Sequence, residues 1–360
     1  MLLRRRIEEA LMGTIWFCLV AFMIVVYVLL DGFDLGAGAI HLLVAKTDDE
    51  RRQVLASIGS VWDGNEVWLI ALGGTMYFAF PSLYASSFSG FYLPLTFVLW
   101  LLILRGTSIE FRNHIKSAVW DPLWDFVFCA SSLLLALFLG AALGNVVRGV
   151  PLDGSGFFFE PLWTDFRLGN ETGILDWYTI LAGGLSLLAL AMHGCLWVQL
   201  KVSGEVSGRA ASLAGLTWWG VLALTVVVTA VTFRVQPQVL ANLKMWPIGL
   251  VFPLLAVAGL AGVVLELRKR NERRAFYASC AYLTGMLTSL VFGVYPLVLP
   301  ARNPAYSLTI WNTKASAYGL KIGLIWWAIG MILAVGYSTL VYRSFAGKVV
   351  IEKDSHGHGN

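Results

Sequence analysis

The sequence predicts an all-α polytopic membrane protein. Three observations carry that prediction. Of 360 residues, 58% are hydrophobic and only 13% are charged, against about 25% charged in an ordinary soluble protein. Mean hydropathy is +0.72. Apolar runs of about 20 residues, the length that crosses a hydrocarbon core as a helix, recur along the whole chain. This composition excludes a cytosolic enzyme, a disordered chain and a nucleic-acid binder, and a net charge of +4 is too small to be a polybasic footprint. Fifteen Trp, twelve Tyr and twenty-one Phe suit long perimeters at the membrane interface, where amphipathic rings settle.

The first span is Leu11 to Leu30, which contains no charge and follows Arg4, Arg5 and Arg6. It is too long for the apolar core of a signal peptide, and no small-residue cleavage site follows it, so it stays as an uncleaved helix. Further spans are expected at 57–80, 83–104, 123–147, 174–200, 210–233, 247–267, 276–299 and 318–342, which makes nine. The second carries Asp63 and Glu66 near its start. The whole chain, 1–360, reads as one integral membrane domain. Its halves, 1–147 and 174–342, are joined by a connection from Arg148 to Gly173 that contains Asp153, Glu160, Asp165 and Glu171. That connection is expected to be external. No loop is long enough for a folded catalytic domain, and no internal repeat is visible.

Nine spans put the termini on opposite sides. The loops on one side, with the C-terminal tail, hold sixteen Lys and Arg, including Arg268, Lys269, Arg270, Arg273 and Arg274; the other side holds nine. The richer side is cytoplasmic by the positive-inside rule, so the C-terminus is expected inside and the N-terminus outside. The Arg4–Arg6 triplet opposes this assignment. A reporter fused at Asn360 reads the orientation directly.

Cys18, Cys129, Cys195 and Cys280 are scattered through apolar runs with no CxxC pair, and read as small buried hydrophobes. No ligand cluster suggests zinc or iron–sulfur, so no metal site is expected. His356 and His358 belong to a solvated tail. Of the remaining histidines, His41 and His193 fall within the membrane, where no spacing argues for haem ligation and a buried, hydrogen-bonded role fits. Trp218-Trp219 and Trp326-Trp327 read as interface anchors.

Ionisable residues in hydrocarbon are expensive and usually face the bundle interior. In Asp31-Gly-Phe-Asp34-Leu-Gly-Ala-Gly38-Ala-Ile-His41, helical spacing places Asp31, Asp34, Gly38 and His41 on one face. Gly32 and Gly36 form a small-xxx-small pair that admits a close neighbour. In Trp62-Asp63-Gly64-Asn65-Glu66-Val67-Trp68, Asp63 and Glu66 share a face. Buried carboxylates in series suit a proton relay; the alternative is that they cap helix ends or pair with Arg51, Arg52, Arg105 or Arg112. Arg105-x4-Glu110-Phe-Arg112 reads as a cytoplasmic salt-bridged turn, and Lys321 as a snorkelling residue.

These motifs, with Phe88-Ser-Gly-Phe-Tyr92, Gly144-Asn145-x4-Gly149-Val-Pro151 and Ser307-Leu308-Thr309-Ile-Trp311-Asn312, resemble subunit II of the cytochrome bd quinol oxidases, including the cyanide-insensitive branch. The resemblance runs in order through essentially the whole chain. It implies two four-helix bundles plus one peripheral helix. It also implies a larger partner, subunit I, that holds haem b, haem d and the quinol site while the complex reduces dioxygen to water. Subunit II then supports its haem-bearing partner and offers a cytoplasm-side proton path. The resemblance carries that path to Asp63, then to Asp31 and Asp34. Glu66 stands where other members can have a neutral amide, so the resemblance does not carry the path to it. A structural quinone or lipid in an apolar pocket and small accessory subunits are further implied partners. The localisation implied is the bacterial cell membrane.

On the residues alone, the rival is an ion-coupled secondary transporter or channel. Such proteins show inverted repeats and helices interrupted near the midplane; here the acidic clusters lie toward helix ends. A purely structural scaffold is the third reading.

Overall fold

The computed structural model describes residues 2–115, 117–169 and 172–349. Glu171 and the tail with His356, His358 and Asn360 lie outside the described residues. Twelve α-helices account for most of what is described: α1 Leu2–Val44, α2 Asp48–Gly59, α3 Trp62–Ala79, α4 Pro81–Gly90, α5 Tyr92–Phe111, α6 Trp120–Arg148, α7 Trp177–Lys201, α8 Glu205–Val235, α9 Pro237–Met245, α10 Val251–Arg268, α11 Glu272–Val294 and α12 Ala317–Ser344. The sheet is one short antiparallel pair, β1 Leu297–Leu299 with β2 Leu308–Thr309. Eight of the helical segments are long and apolar enough to cross a membrane. The ninth expected span is α3, 18 residues long, whose polar first turns dilute its hydropathy.

Among the boundaries that differ from expectation, three have a local reason. The first helix does not end at Leu30 but runs on through the acidic motif to Val44. Asp31, Asp34 and His41 are all fully buried, so neighbouring helices shield the charges that would otherwise end a membrane segment. The span expected at 83–104 is two helices. Pro81 opens α4, where the ring's fixed φ and missing N–H are tolerated, and the chain breaks again at Phe91 before α5 begins. As a result α5 extends to Phe111, which draws Arg105 inside. The segment 276–299 stops as a helix at Val294, because Leu297–Leu299 pairs with the strand before α12.

The helix α1 is central and packs against α3, α6, α7 and α11. On one side α3, α5 and α6 complete a group around it; on the other α7, α8, α10 and α11 form a second. Phe33 stacks on Trp197 at 3.9 Å, and His193 lies parallel to Phe276 at 4.8 Å, where the groups meet. Along α12 only Leu320 is buried, which makes it the peripheral helix. Cys195 is buried, but Cys18 is exposed and so departs from the expected core role. The connection 149–173 carries no helix among its described residues; it is stitched down by Glu160, which accepts from Arg148 at 2.7 Å and Arg302 at 2.5 Å. Burial nevertheless pushes the Glu160 carboxyl up.

The helix α2 starts with a capping box. Thr47 Oγ1 accepts from the Glu50 amide at 3.3 Å, and Glu50 Oε2 accepts from the amides of Lys46 at 2.6 Å and Thr47 at 3.2 Å. Partial desolvation pushes the Glu50 carboxyl up, but hydrogen bonds from Arg209 and those two amides outweigh it, and the net shift is down. A depressed folded value gives stability that is complete above the ordinary carboxylate value of 4.5 and is lost as pH falls through the folded one. Acidification from about pH 5 to about pH 3 should therefore loosen α2. The fall in unfolding midpoint over that range should shrink in Glu50→Gln, measured in detergent; equal falls in both proteins would contradict it.

Candidate functional site

The site is a column of polar side chains along one face of α1. Tyr27, Asp31 and Asp34 occupy successive turns, and His41 follows two turns beyond Asp34, about 10 Å further along the axis. Asp31, Asp34 and His41 each meet a partner from a different helix, while the Tyr27 hydroxyl has no hydrogen-bond partner among the described residues.

At the upper level, Arg105 of α5 grips Asp31 in a fork: Nη1 to Oδ2 at 3.0 Å and Nη2 to Oδ1 at 2.5 Å, with both residues fully buried. Two parallel charge-assisted bonds make this a strong and geometrically exacting contact. Glu66 of α3 approaches the same Nη2 at 3.5 Å and keeps its side chain 22% exposed. Asp34 has a neutral partner instead. Asn65 donates to its Oδ2 at 2.7 Å and to the Leu30 carbonyl at 3.3 Å, while Tyr342 of α12 donates to Asn65 Oδ1 at 2.8 Å. The tyrosine thus fixes which end of the amide faces the acid. Asp34 Oδ1 has no hydrogen-bond partner among the described residues.

The lower level centres on Asp125 of α6, 1% exposed. It receives His41 Nε2 at 2.9 Å, Arg112 Nε at 2.6 Å and Arg51 Nη1 at 3.1 Å. Arg112 continues to Asp48 at 2.6 Å, and Arg52 joins Asp48 at 3.0 Å, so this level reaches the half-exposed surface at the start of α2. Burial works against the Arg112 charge, but the bonds to Asp125 and Asp48 outweigh it and hold the guanidinium firmly ionised. Between the levels, Gly38 lies against Ser132 of α6, whose buried hydroxyl is unpartnered among the described residues.

The structure therefore brings Asp31, Asp34 and Glu66 together around one arginine and leaves Asp63 apart, exposed in the first turn of α3. The expected surface turn at Arg105 is corrected: Arg105 is an interior residue, because α5 runs about two turns past the expected boundary. Asn65, Tyr342 and Asp125 were not singled out in the sequence. Only Asn65 gave a local signal, its place between Asp63 and Glu66. His193 is buried with both ring nitrogens engaged, by Ser279 at 2.7 Å and the Leu29 carbonyl at 3.1 Å. His41 Nδ1 is unpartnered among the described residues, with the ring edge-on to Phe128 at 5.3 Å. Both nitrogens of His193 and the Nε2 of His41 are therefore already engaged by groups of the protein. No group of three or more candidate metal ligands occurs among the described residues.

The family model described as "Cytochrome bd terminal oxidase subunit II" matches residues 12–345. The probable cytochrome oxidase subunit 2 of Haemophilus influenzae is 30% identical, over 97% of this chain and 99% of that protein. The cytochrome bd-I ubiquinol oxidase subunit 2 of Escherichia coli K12 is 26% identical over the same shares. The cytochrome bd ubiquinol oxidase subunit 2 of Bacillus subtilis is 30% identical over 86% of this chain and 88% of its own. Among solved structures, the bd oxidase from Geobacillus thermodenitrificans has a chain with a TM-score of 0.71 at 17% identity, covering 93% of this chain and 98% of that one. That likeness supports the fold.

Proposed function

The chain belongs to the cytochrome bd terminal oxidase subunit II family, and we propose that it acts as the subunit that braces a haem-bearing subunit I and feeds protons toward the site of oxygen reduction. It is a multi-pass membrane protein of an oxidoreductase complex. The relatives named above are oxidase subunits, which favours this reading over a transporter or channel.

In this reading quinol oxidation and oxygen reduction take place in the partner, which holds haem b and haem d. Such a complex takes up protons as it makes water, and the column along α1 is this chain's means of supplying them. The observation that carries the reading is the unequal pairing of three carboxyl groups around one cation. Arg105 holds Asp31 in a two-bond fork, whereas Asp34 has one oxygen without a partner among the described residues and Glu66 reaches toward the surface near Asp63. Asp63 then gathers protons at the mouth, Glu66 and Asp34 pass them inward, and Asp31 with Arg105 sets the local charge. The mouth lies on the side richer in Lys and Arg, and in this reading that side and the C-terminus are cytoplasmic and the N-terminus is outside. A quinone or lipid against this chain and small accessory subunits remain part of the proposal.

The test uses the whole complex purified from native membranes in mild detergent. Wild type should show reduced-minus-oxidised bands of haem b and haem d with a larger co-purifying subunit. Asp63→Asn and Asp34→Asn should keep those bands, while oxygen consumption with quinol falls about tenfold or more, the usual range for losing a positioned proton-transfer group. Full turnover in both variants would sink the relay and leave a structural scaffold. A colourless, solitary wild-type protein would sink the assembly itself.

A further inference from the structure

At the same end of the bundle as the mouth, a cleft of about 670 Å³ opens between the end of α2, α7, the α10–α11 turn and the segment after α12. Five cations line it: Lys201, Lys269, Arg270, Arg273 and Lys348, against a single carboxylate, Glu272. They come from three separate regions of the chain. Loop charge alone would satisfy the positive-inside rule without bringing Lys201 and Lys348 to the cavity that the α10–α11 turn overhangs.

The segment 345–349 holds the cleft in shape. Val349 donates to the Lys201 carbonyl at 2.7 Å, Lys201 Nζ donates to the Phe345 carbonyl at 2.5 Å, and Lys348 Nζ reaches the carbonyls of Gln199 and Val202 at 3.0 Å and Glu272 at 2.9 Å. Lys269 is paired with Glu266 at 2.9 Å. Arg270 and Arg273 have no acidic partner among the described residues and stand exposed at the rim. Behind them the wall is aromatic, from Trp197, Tyr277, Tyr342 and Phe345. Two unpaired guanidinium forks match the oxygens of a phosphate group. An aromatic wall at the ends of membrane helices matches the glycerol and first methylenes of a lipid.

We propose that this cleft binds a phosphate group, carried by an anionic phospholipid of the adjoining leaflet. Neither haem nor turnover enters the inference, so it stands or falls separately from the oxidase reading.

The full complex, exchanged into phosphatidylcholine nanodiscs, is titrated with phosphatidylglycerol while the unfolding midpoint and the lipids retained in native mass spectra are followed. Wild type should retain phosphatidylglycerol and be stabilised by it. In Arg270→Gln/Arg273→Gln the titration midpoint should move about tenfold or more to higher lipid, as expected for two surface cations at an anionic lipid. Arg270→Lys/Arg273→Lys keeps the charge but not the forks and should fall between that variant and wild type. Arg268→Gln/Arg274→Gln, which removes equal charge outside the lining, should leave it near wild type. Inorganic phosphate at matched concentration should not compete; if it displaces the lipid, the phosphate site stands but the lipid is overturned as its source. Equal titrations in wild type, the cleft variant and the control pair would overturn the site altogether.

Discussion

Arg105→Met should cost about 3–5 kcal/mol, the range for removing one partner of a buried ion pair, and should leave little assembled complex in the membrane. Arg105 is fully buried and makes both of its short charge-assisted bonds to Asp31, which is equally buried. Methionine fills much of the volume but leaves the Asp31 carboxylate without a counter-charge, with Glu66 nearby. Total stabilities run to only about 5–15 kcal/mol, so one such loss is a large share. Arg105→Lys keeps a charge but not the fork, and should fall between. Asp31→Leu/Arg105→Met removes both members and should regain most of the stability, because the expense lies in the orphaned charge and not in the absence of the pair. Unfolding midpoints in detergent and the yield of haem-containing complex check all three. An Arg105→Met protein within about 1 kcal/mol of wild type would show that the pair is not a structural element, since surface pairs are worth that much at most.

The same pair shows where sequence reasoning reaches its limit. The spacing of Asp31 and Asp34 placed them on one helical face, as found, since that depends only on helical period. The burial of Arg105 depends on a partner 74 positions earlier. It also depends on where α5 begins, which the breaks at Phe80 and Phe91 decide. Without those breaks an arginine after an apolar run reads as a loop residue. His41 and Asp125 are 84 positions apart. Asp125 follows two tryptophans at the start of a span, and alone it resembles an interfacial acid. The spans themselves were legible because membrane insertion rewards a local property, about 20 apolar residues in succession. The polar contacts were not, because burying a charge requires a partner from elsewhere in the fold.

Gly36→Ala is expected to be the most damaging one-carbon change in the bundle. A β-carbon at Gly36 would fall on the Leu190 carbonyl oxygen and the backbone of Gly194, and one at Gly194 would fall on the backbone of Gly36. The two helices α1 and α7 therefore meet main chain to main chain, in the way small residues permit between membrane helices. Overpacking usually costs about 1–3 kcal/mol because side chains can yield. Here the obstructing atoms are backbone, so α1 and α7 must separate, and a loss at or above the top of that range follows. Separation would also unstack Phe33 from Trp197. Because Asp34 lies only two residues before Gly36, it would move relative to Asn65 and Tyr342 as well. Stability and turnover should then fall together in Gly36→Ala, unlike Asp34→Asn, where turnover falls alone. Gly73→Ala supplies the contrast: nothing lies within 4 Å of a β-carbon there, and alanine improves helix propensity by up to about 1 kcal/mol. If unfolding midpoints in detergent rank Gly36→Ala level with Gly73→Ala, then α1 and α7 can slide apart freely, and the column of acids on α1 is not held in place by the contact that its glycines make possible.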